Sequence, residues 1–315
     1  LGVALAAFLQ YKETRYLLAS GISHSDIQAK RKDDIAHTQP NWWILGGSLI
    51  FVAFTLSTGL SNFSYSQEVI FLGSFSIISF IIYKLTRELK PEARDTLVGT
   101  AIIIFVFRAI PSPGPGMSWW MIDQLKFDQQ FFSLLSLVAS VLTLTGMFIF
   151  RRFMAGHSIA YIVGMLTIVT TFLTLPFLGM FYGLHEWTSA ITGGVVDARF
   201  IALVDTAVES PLGQIAMIPM LAWIAHSAPS HLKATFFAVM ASFTNLALSA
   251  SQLGTKYLNQ LFTVTREVKD HATDTITTHA NYDDLGTLII ISLSVGFILP
   301  FVAILIVRCT RFRSA

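Results

Sequence analysis

Two carboxylates, Asp205 and Glu209, stand four residues apart within a long apolar stretch of the sequence. In a helix this spacing places both side chains on one face. Carboxylates that lie close together in a poorly solvated cleft repel each other, so such a pair can carry a proton or accept hydrogen bonds from a cationic or amide-bearing solute. The alternative is a structural ion pair with Arg108 or Arg199. For Arg199, that alternative or a position at the outer membrane surface is the favoured interpretation.

A further charged side chain, Arg108, lies three residues before the segment Pro111-Ser112-Pro113-Gly114-Pro115-Gly116. A regular helix cannot continue through three prolines in five residues, because each proline removes a backbone donor and clashes with the preceding turn. The sequence therefore predicts a break in a helix, and transporters place solute sites at such breaks. In the alternative interpretation the break lies in an outer loop, and Arg108 extends toward the lipid headgroups.

Four more residues complete the candidate site. Trp119 and Trp120 follow the break. Gln214 belongs to the same apolar stretch as the two carboxylates and could add an amide to their cleft. Asn245 lies in the next apolar stretch, where an amide can either join two helices by a hydrogen bond or contact a solute.

The sequence contains no recognisable catalytic set. It has no Walker-type glycine loop, no Ser-His-acid arrangement and no pair of histidines at ligand spacing supported by a third group. The single cysteine, Cys309, excludes a disulfide framework and a multi-cysteine metal site. We therefore expect neither an enzyme activity nor a cofactor or metal ion.

The elements that position these residues must lie in a membrane. Only 13% of the 315 residues are charged, 53% are hydrophobic, and the mean hydropathy is +0.62. About a quarter of the residues in a soluble domain are charged, so this composition excludes a soluble enzyme, a nucleic-acid-binding protein and a disordered chain. The apolar residues form long stretches without strand alternation, which predicts an all-α membrane protein.

Eight apolar stretches are predicted to form complete membrane-spanning helices, and Leu1 to Leu9 is interpreted as the end of another helix. Because the chain opens inside this apolar stretch without an initiator methionine, we expect its N-terminal part to be missing. The predicted spans are Trp42 to Leu60, Glu68 to Leu85, Thr96 to Met121, Phe131 to Phe150, Ile159 to Tyr182, Arg199 to Ala225, Ala234 to Tyr257 and Leu285 to Val307.

The distribution of basic residues predicts the orientation. Fifteen of the 21 Lys and Arg residues fall in alternate loops or at the C-terminal end, and basic residues accumulate on the cytoplasmic side of membrane proteins. We therefore expect a multi-pass protein of the cell membrane with a cytoplasmic C-terminus.

Three groups of residues between Thr96 and Val307 follow one another in an order that is typical of a known family. The groups are Arg108-Ala109-Ile110-Pro111-Ser112 with Trp119-Trp120 and Leu125-Lys126-Phe127-Asp128; Gly213 to Met220 with Ala228-Pro229, Ala234 to Ala238 and Ser242 to Asn245; and Thr263 to Arg266 with Tyr282 to Leu285. Together they resemble the folate-biopterin transporters, a branch of the major facilitator superfamily.

This resemblance implies a major-facilitator-type helical bundle. Residues 96–315 would form the C-terminal six-helix bundle, helices seven to twelve. Residues 1–95 would hold the end of helix four, helices five and six, and the cytoplasmic linker.

The implied function is secondary active transport of a folate or pterin by alternating access. Asp205 or Glu209 would hold the pterin ring, Arg108 would hold the anionic tail, and Trp119 or Trp120 would stack on the ring. The implied partners are a small-molecule substrate, the lipid bilayer and a coupling proton or sodium ion. No nucleic-acid partner is expected.

Two other functions stay open at this point. The first is transport of another metabolite or drug by the same fold. The second is a non-transporting membrane scaffold, which predicts a sealed core with paired charges, whereas a transporter predicts a solvent-reachable cleft beside Arg108, Asp205 and Glu209.

Overall fold

The computed structural model describes residues 11–12, 14–29, 42–61, 63–87, 89–212, 215, 218, 233–269 and 275–314. The chain divides into two compact units, residues 1–50 and residues 51–315, and the packing described below lies within the second. In the first unit, residues 14–19 and 24–29 are helical.

The described chain is mostly helical, as predicted. The helices are α1 Trp42–Gly59, α2 Ser66–Thr86, α3 Pro91–Arg108, α4 Pro115–Asp123, α5 Gln129–Ile149, α6 Arg151–Gly156, α7 Ile159–Phe181, α8 Leu184–Ile191, α9 Ala198–Glu209, α10 Lys233–Leu261 and α11 Leu285–Cys309. A 3-10 turn, Ser210–Leu212, follows α9. Two short strands, β1 Val268–Lys269 and β2 Ile276–Thr278, form an antiparallel hairpin between α10 and α11.

Five of the described helices are long and apolar enough to cross a membrane: α2, α5, α7, α11 and residues Thr235–Leu261 of α10. Helix α5 shows why water is not their solvent. It exposes Leu137, Val141, Leu144 and Phe148, which follow one another at intervals of three or four residues. Such a spacing forms one continuous apolar stripe along a helix, which is suited to lipid. The predicted class, an integral membrane protein, is confirmed.

Helices α5 and α9 begin at capping aspartates. Asp128 Oδ1 accepts a hydrogen bond of 2.7 Å from the amide of Phe131, and Asp197 Oδ1 accepts one of 2.8 Å from the amide of Phe200. Each bond satisfies an amide that has no partner within its own helix. Local sequence chemistry therefore determines where these two helices start.

Two of the predicted spans are interrupted. The span predicted from Thr96 to Met121 consists of α3 and α4, separated by the non-helical residues 109–114, so the predicted break is confirmed. The span predicted from Arg199 leaves helical geometry after Glu209, where Pro211 enters a 3-10 turn. The backbone of Pro211 occupies the space that a side chain on Gly146 of α5 would need. Most of the remainder of that span lies outside the described residues, as does Leu1 to Leu9.

A buried cluster joins α4, α5, α7, α9 and α11. It fixes the orientation of α4, because Trp120 of this short helix is 6% exposed and packs inside the cluster. The other buried members are Phe127, Phe131, Met180, Ala198, Ala202, Leu285 and Ile289.

Candidate functional site

Side chains on one face of α10 form hydrogen bonds with backbone groups in the break between α3 and α4. We call Ser251, Thr255 and Asn259, spaced four residues apart, the α10 ladder. Because these side chains satisfy backbone groups in the break, non-helical backbone is compatible with membrane depth. The hydrogen bonds run from Ser251 Oγ to the Ile110 carbonyl at 2.6 Å, from the Ser112 amide to Thr255 Oγ1 at 2.9 Å, and from Asn259 Nδ2 to the Pro113 carbonyl at 3.2 Å.

Gly114 allows the backbone of the break to approach α10 closely. Its φ is +84°, a left-handed conformation that residues with a side chain rarely adopt. A Cβ atom at this position would lie 2.7 Å from Asn259 Nδ2. The break therefore requires glycine both for its backbone conformation and for contact with the α10 ladder.

A cavity of about 1090 Å³ lies beside the break, between α1, α2, α4 and α10. This volume is slightly above the usual range of small-molecule sites, which ends at about 1,000 Å³. Trp119 and Phe71 provide aromatic surface, and Lys256 is the single charged side chain among the described lining residues. The other polar lining residues are hydroxyls and amides: Thr55, Ser64, Ser66, Gln67, Ser74, Ser242, Asn245, Ser249, Gln252, Thr255 and Asn259.

An ion pair at the edge of the cavity joins α2 to α10. Lys256 Nζ lies 2.6 Å from Glu68 Oε1, and the hydroxyl of Tyr257 donates a hydrogen bond of 2.8 Å to the same oxygen. The second oxygen, Glu68 Oε2, is buried and accepts no hydrogen bond from the described residues. The charge of Lys256 is thus compensated here, and separation of α2 from α10 would present an uncompensated ammonium group to the cavity.

A second charged cluster fixes the far end of α4. Asp123 accepts two hydrogen bonds from Arg266, at 3.2 and 3.0 Å, and a third from the hydroxyl of Tyr282. Burial acts to raise the pKa of Asp123, but these hydrogen bonds and the charge of Arg266 outweigh it and hold the pKa below its usual value. Burial and the contact with Asp123 raise the pKa of Tyr282 to about 12. Helix α4 is therefore held at both ends, by the α10 ladder and by this cluster.

The structure separates the two adjacent tryptophans. Trp119 lines the cavity, as does Asn245. Trp120 lies in the buried cluster, with its ring centroid 5.6 Å from that of Phe181. Successive helical residues point about 100° apart, so one of the pair reaches the cavity and the other reaches the core.

The predicted charged residues do not line this cavity. Arg108 is the half-buried last residue of α3. Asp205 is 6% exposed on α9, which packs against α5 and α7, and its Oδ1 accepts no hydrogen bond from the described residues. Glu209 is exposed near the end of the same helix, and Gln214 lies outside the described residues.

Arg199 takes part in a structural ion pair. Its Nη2 lies 3.0 Å from Asp128 Oδ2, at the start of α5. Its partner is thus a helix-capping carboxylate rather than Asp205 or Glu209. Arg199 therefore forms a structural ion pair, as the sequence interpretation allowed, but its partner is not the carboxylate named there.

Sequence reasoning missed the α10 ladder and the ion pair between Glu68 and Lys256. A signal for the ladder was present, because Ser251, Thr255 and Asn259 recur every four residues in an apolar helix. Glu68 was a charged residue at the start of an apolar stretch, which is itself a reason to look for a partner.

Apolar helices, a broken helix and a polar cavity beside the break define a multi-pass helical membrane protein with an internal site of small-molecule size. The profile of the BT1 family matches residues 44–312, so the chain belongs to the BT1 family, and the resemblance inferred from its motifs is confirmed. A curated protein from Synechocystis sp., named folate-biopterin transporter, is 27% identical over 214 residues, which is 67% of this chain and 39% of that protein. The chain thus spans about two fifths of the length of the curated relative it matches. No solved structure matches it significantly.

Proposed function

We propose that this chain forms part of a secondary transporter that moves a folate or a pterin across the cell membrane by alternating access. The observation that carries the proposal is the cavity between α1, α2, α4 and α10, in a chain of the BT1 family. The relative named folate-biopterin transporter supports the choice of solute. Transport, rather than catalysis, suits a cavity whose described polar lining, apart from the paired Lys256, consists of neutral hydrogen-bonding groups.

The proposed architecture is a major-facilitator-type bundle with eight complete spans in this chain. Helices α1 and α2 belong to the end of the first half, and residues 96–315 form the second half, with a cytoplasmic C-terminus. The cavity then lies between the two halves, where α2 packs against α10. Alternating access places the solute at such a boundary.

Within the cavity, we assign stacking on the solute ring to Trp119 and hydrogen bonds to the ring edge to Asn245. Both side chains line the cavity, and aromatic faces and amides are suited to a flat, polar heterocycle. Lys256 binds an anionic group of the solute once Glu68 has moved away.

The remaining sequence candidates have separate proposed roles. Arg108 contacts the solute's anionic tail in another conformation of the transport cycle. Asp205, with Glu209 and Gln214, forms a coupling site for a proton or sodium ion. The reason is that Oδ1 of the buried Asp205 accepts no hydrogen bond from the described residues, and such an oxygen is suited to ion uptake.

Uptake of labelled folate and biopterin by cells expressing the protein tests the proposal. We expect Asn245→Ala to reduce uptake about tenfold, whereas Gln260→Ala, an exposed amide of the same helix that does not line the cavity, retains it. Equal uptake by wild-type and Asn245→Ala proteins would place the solute elsewhere. If the protein takes up an unrelated solute but neither folate nor biopterin, the proposed substrate is wrong.

A further inference from the structure

A second cavity, of about 410 Å³, lies where α11 ends and α7 begins. Helices α7 and α11 are both long and apolar enough to cross the membrane. The end of a spanning helix lies at the level of the lipid headgroups. The position of this cavity therefore places it at a headgroup layer, whichever side of the membrane that layer faces.

The polar lining of this cavity is strongly basic. Arg308, Arg311 and Arg313 line it together with hydroxyl-bearing residues, and no carboxylate of the described chain does so. None of the three arginines forms an ion pair within the described residues. Three guanidinium groups that line one cavity without a counter-charge from the described residues favour an anion, and arginine forks match the oxygens of a phosphate group.

Part of the lining of this cavity is apolar. Ile103, Ile304 and Val307 line it, and each is buried within the protein. Next to them on α11, Leu305 and Ile306 are exposed on the outer surface of the helix. A ligand in this position would meet arginines in the cavity and an exposed apolar surface beside it on α11, which is the combination that an amphiphile requires.

The segment that carries the arginines is held in place by α3. The amide of Arg313 donates a hydrogen bond of 3.4 Å to the carbonyl of Asp95. The backbone of Arg313 also occupies the space where a side chain on Gly99 would lie. Because the backbone is docked, this segment does not have to be ordered when a ligand binds, which lowers the entropic cost of binding.

We propose that this basic cavity binds the phosphate group of an anionic phospholipid, whose acyl chains lie along the exposed side chains of α11. Such binding would stabilise the packing of α3, α7 and α11 at this end of the protein. The cavity is lined by residues different from those of the proposed solute site, so the two proposals stand independently.

Thermal unfolding of the purified protein in detergent tests the proposal, with short-chain phosphatidylglycerol, short-chain phosphatidylcholine and inorganic phosphate as separate probes. We expect phosphatidylglycerol to raise the melting temperature of the wild-type protein at concentrations where the other two probes have no effect. The triple variant Arg308→Gln, Arg311→Gln, Arg313→Gln should bind phosphatidylglycerol at least about tenfold more weakly.

A triple variant with the same loss of charge, Arg87→Gln, Arg151→Gln, Arg152→Gln, serves as the control, because none of its residues lines the cavity. It should retain the wild-type response. The single variants Arg308→Gln and Arg311→Gln should each lose part of the response, which keeps the test decisive if the triple variant does not fold. An unchanged response in the cavity variants overturns the proposal, and equal stabilisation by inorganic phosphate overturns the lipid as the source of the phosphate group.

Discussion

The ammonium group of Lys256 lies 2.6 Å from Oε1 of Glu68, and this ion pair joins α10 to α2 at the edge of the larger cavity. Tyr257 donates a hydrogen bond to the same oxygen, so three side chains close this edge. If the cavity opens between α2 and α10, these contacts have to separate first.

We therefore expect Glu68→Gln to open this edge more often. The measurement is the labelling rate of a cysteine introduced at Ser249, a cavity residue, by a membrane-impermeant thiol reagent in a Cys309→Ser background. The rate should rise several-fold, because the amide retains the shape of the carboxylate but loses its charge. Glu186→Gln, on α8, is the matched control. The exchange Glu68→Lys with Lys256→Glu should restore slow labelling, and fast labelling in the exchanged protein would contradict a gating role.

Trp119 and Trp120 should respond differently to truncation. Trp120→Ala should destabilise the protein by about 3 to 5 kcal/mol, because it leaves a hole in the buried cluster of five helices. Trp119→Ala should leave the melting temperature almost unchanged but weaken solute binding about tenfold, as expected for loss of a stacking contact. Melting curves and uptake kinetics on the same preparations check both. Loss of stability in the Trp119 variant would assign this residue to the core.

Removal of a hydrogen bond of the α10 ladder should lower the stability of the folded protein. Ser251→Ala leaves the Ile110 carbonyl without its hydrogen bond at the break, and we expect a loss of about 1 to 3 kcal/mol in the free energy of unfolding. Ser294→Ala, on α11, is the control, because this exposed hydroxyl bonds only a carbonyl of its own helix in the described structure. Equal stability of the two variants in denaturant titrations would show that the ladder contributes nothing.

The cluster around Asp123 should make stability depend on pH in acid. Because its pKa in the folded protein is lowered from the ordinary 3.8, the stabilisation is present above 3.8 and is lost as the pH falls through the folded-state value. The melting temperature of the wild-type protein should therefore fall on acidification below about pH 4, and Asp123→Asn should reduce this dependence, with the remainder due to other hydrogen-bonded carboxylates such as Asp128. Tyr282→Phe should remove part of it, since one hydrogen bond to Asp123 is lost. Parallel pH profiles of wild type and Asp123→Asn would exclude this carboxylate as the cause.

Local chemistry made the break before α4 predictable, whereas its hydrogen-bond partners were not. Three prolines near Arg108 exclude a regular helix in any context. The α10 ladder depends on how α10 packs against the break, more than 140 residues away along the chain. Neither segment alone shows that the two are in contact. The four-residue spacing of the ladder shows only which face of α10 is polar.

The candidate site, too, could be predicted from the sequence only in part. Asp205 and Glu209 were correctly placed on one helix, but their distance from the larger cavity depends on how α9 packs against α5 and α7. Trp119 and Trp120 could not be separated until the rotation of α4 was known, and the buried cluster fixes that rotation. Arg199 pairs with Asp128, which lies 71 positions away in sequence.

The α10 ladder also decides which part of the protein can bend. A proline break is normally a flexible point, since the two helix ends beside it lack shared hydrogen bonds. Here side chains one turn apart on α10 clamp the break along its length. The broken segment and α10 therefore form one stiff wall of the cavity, and a change in the cavity's shape has to come from displacement of the facing wall formed by α1 and α2.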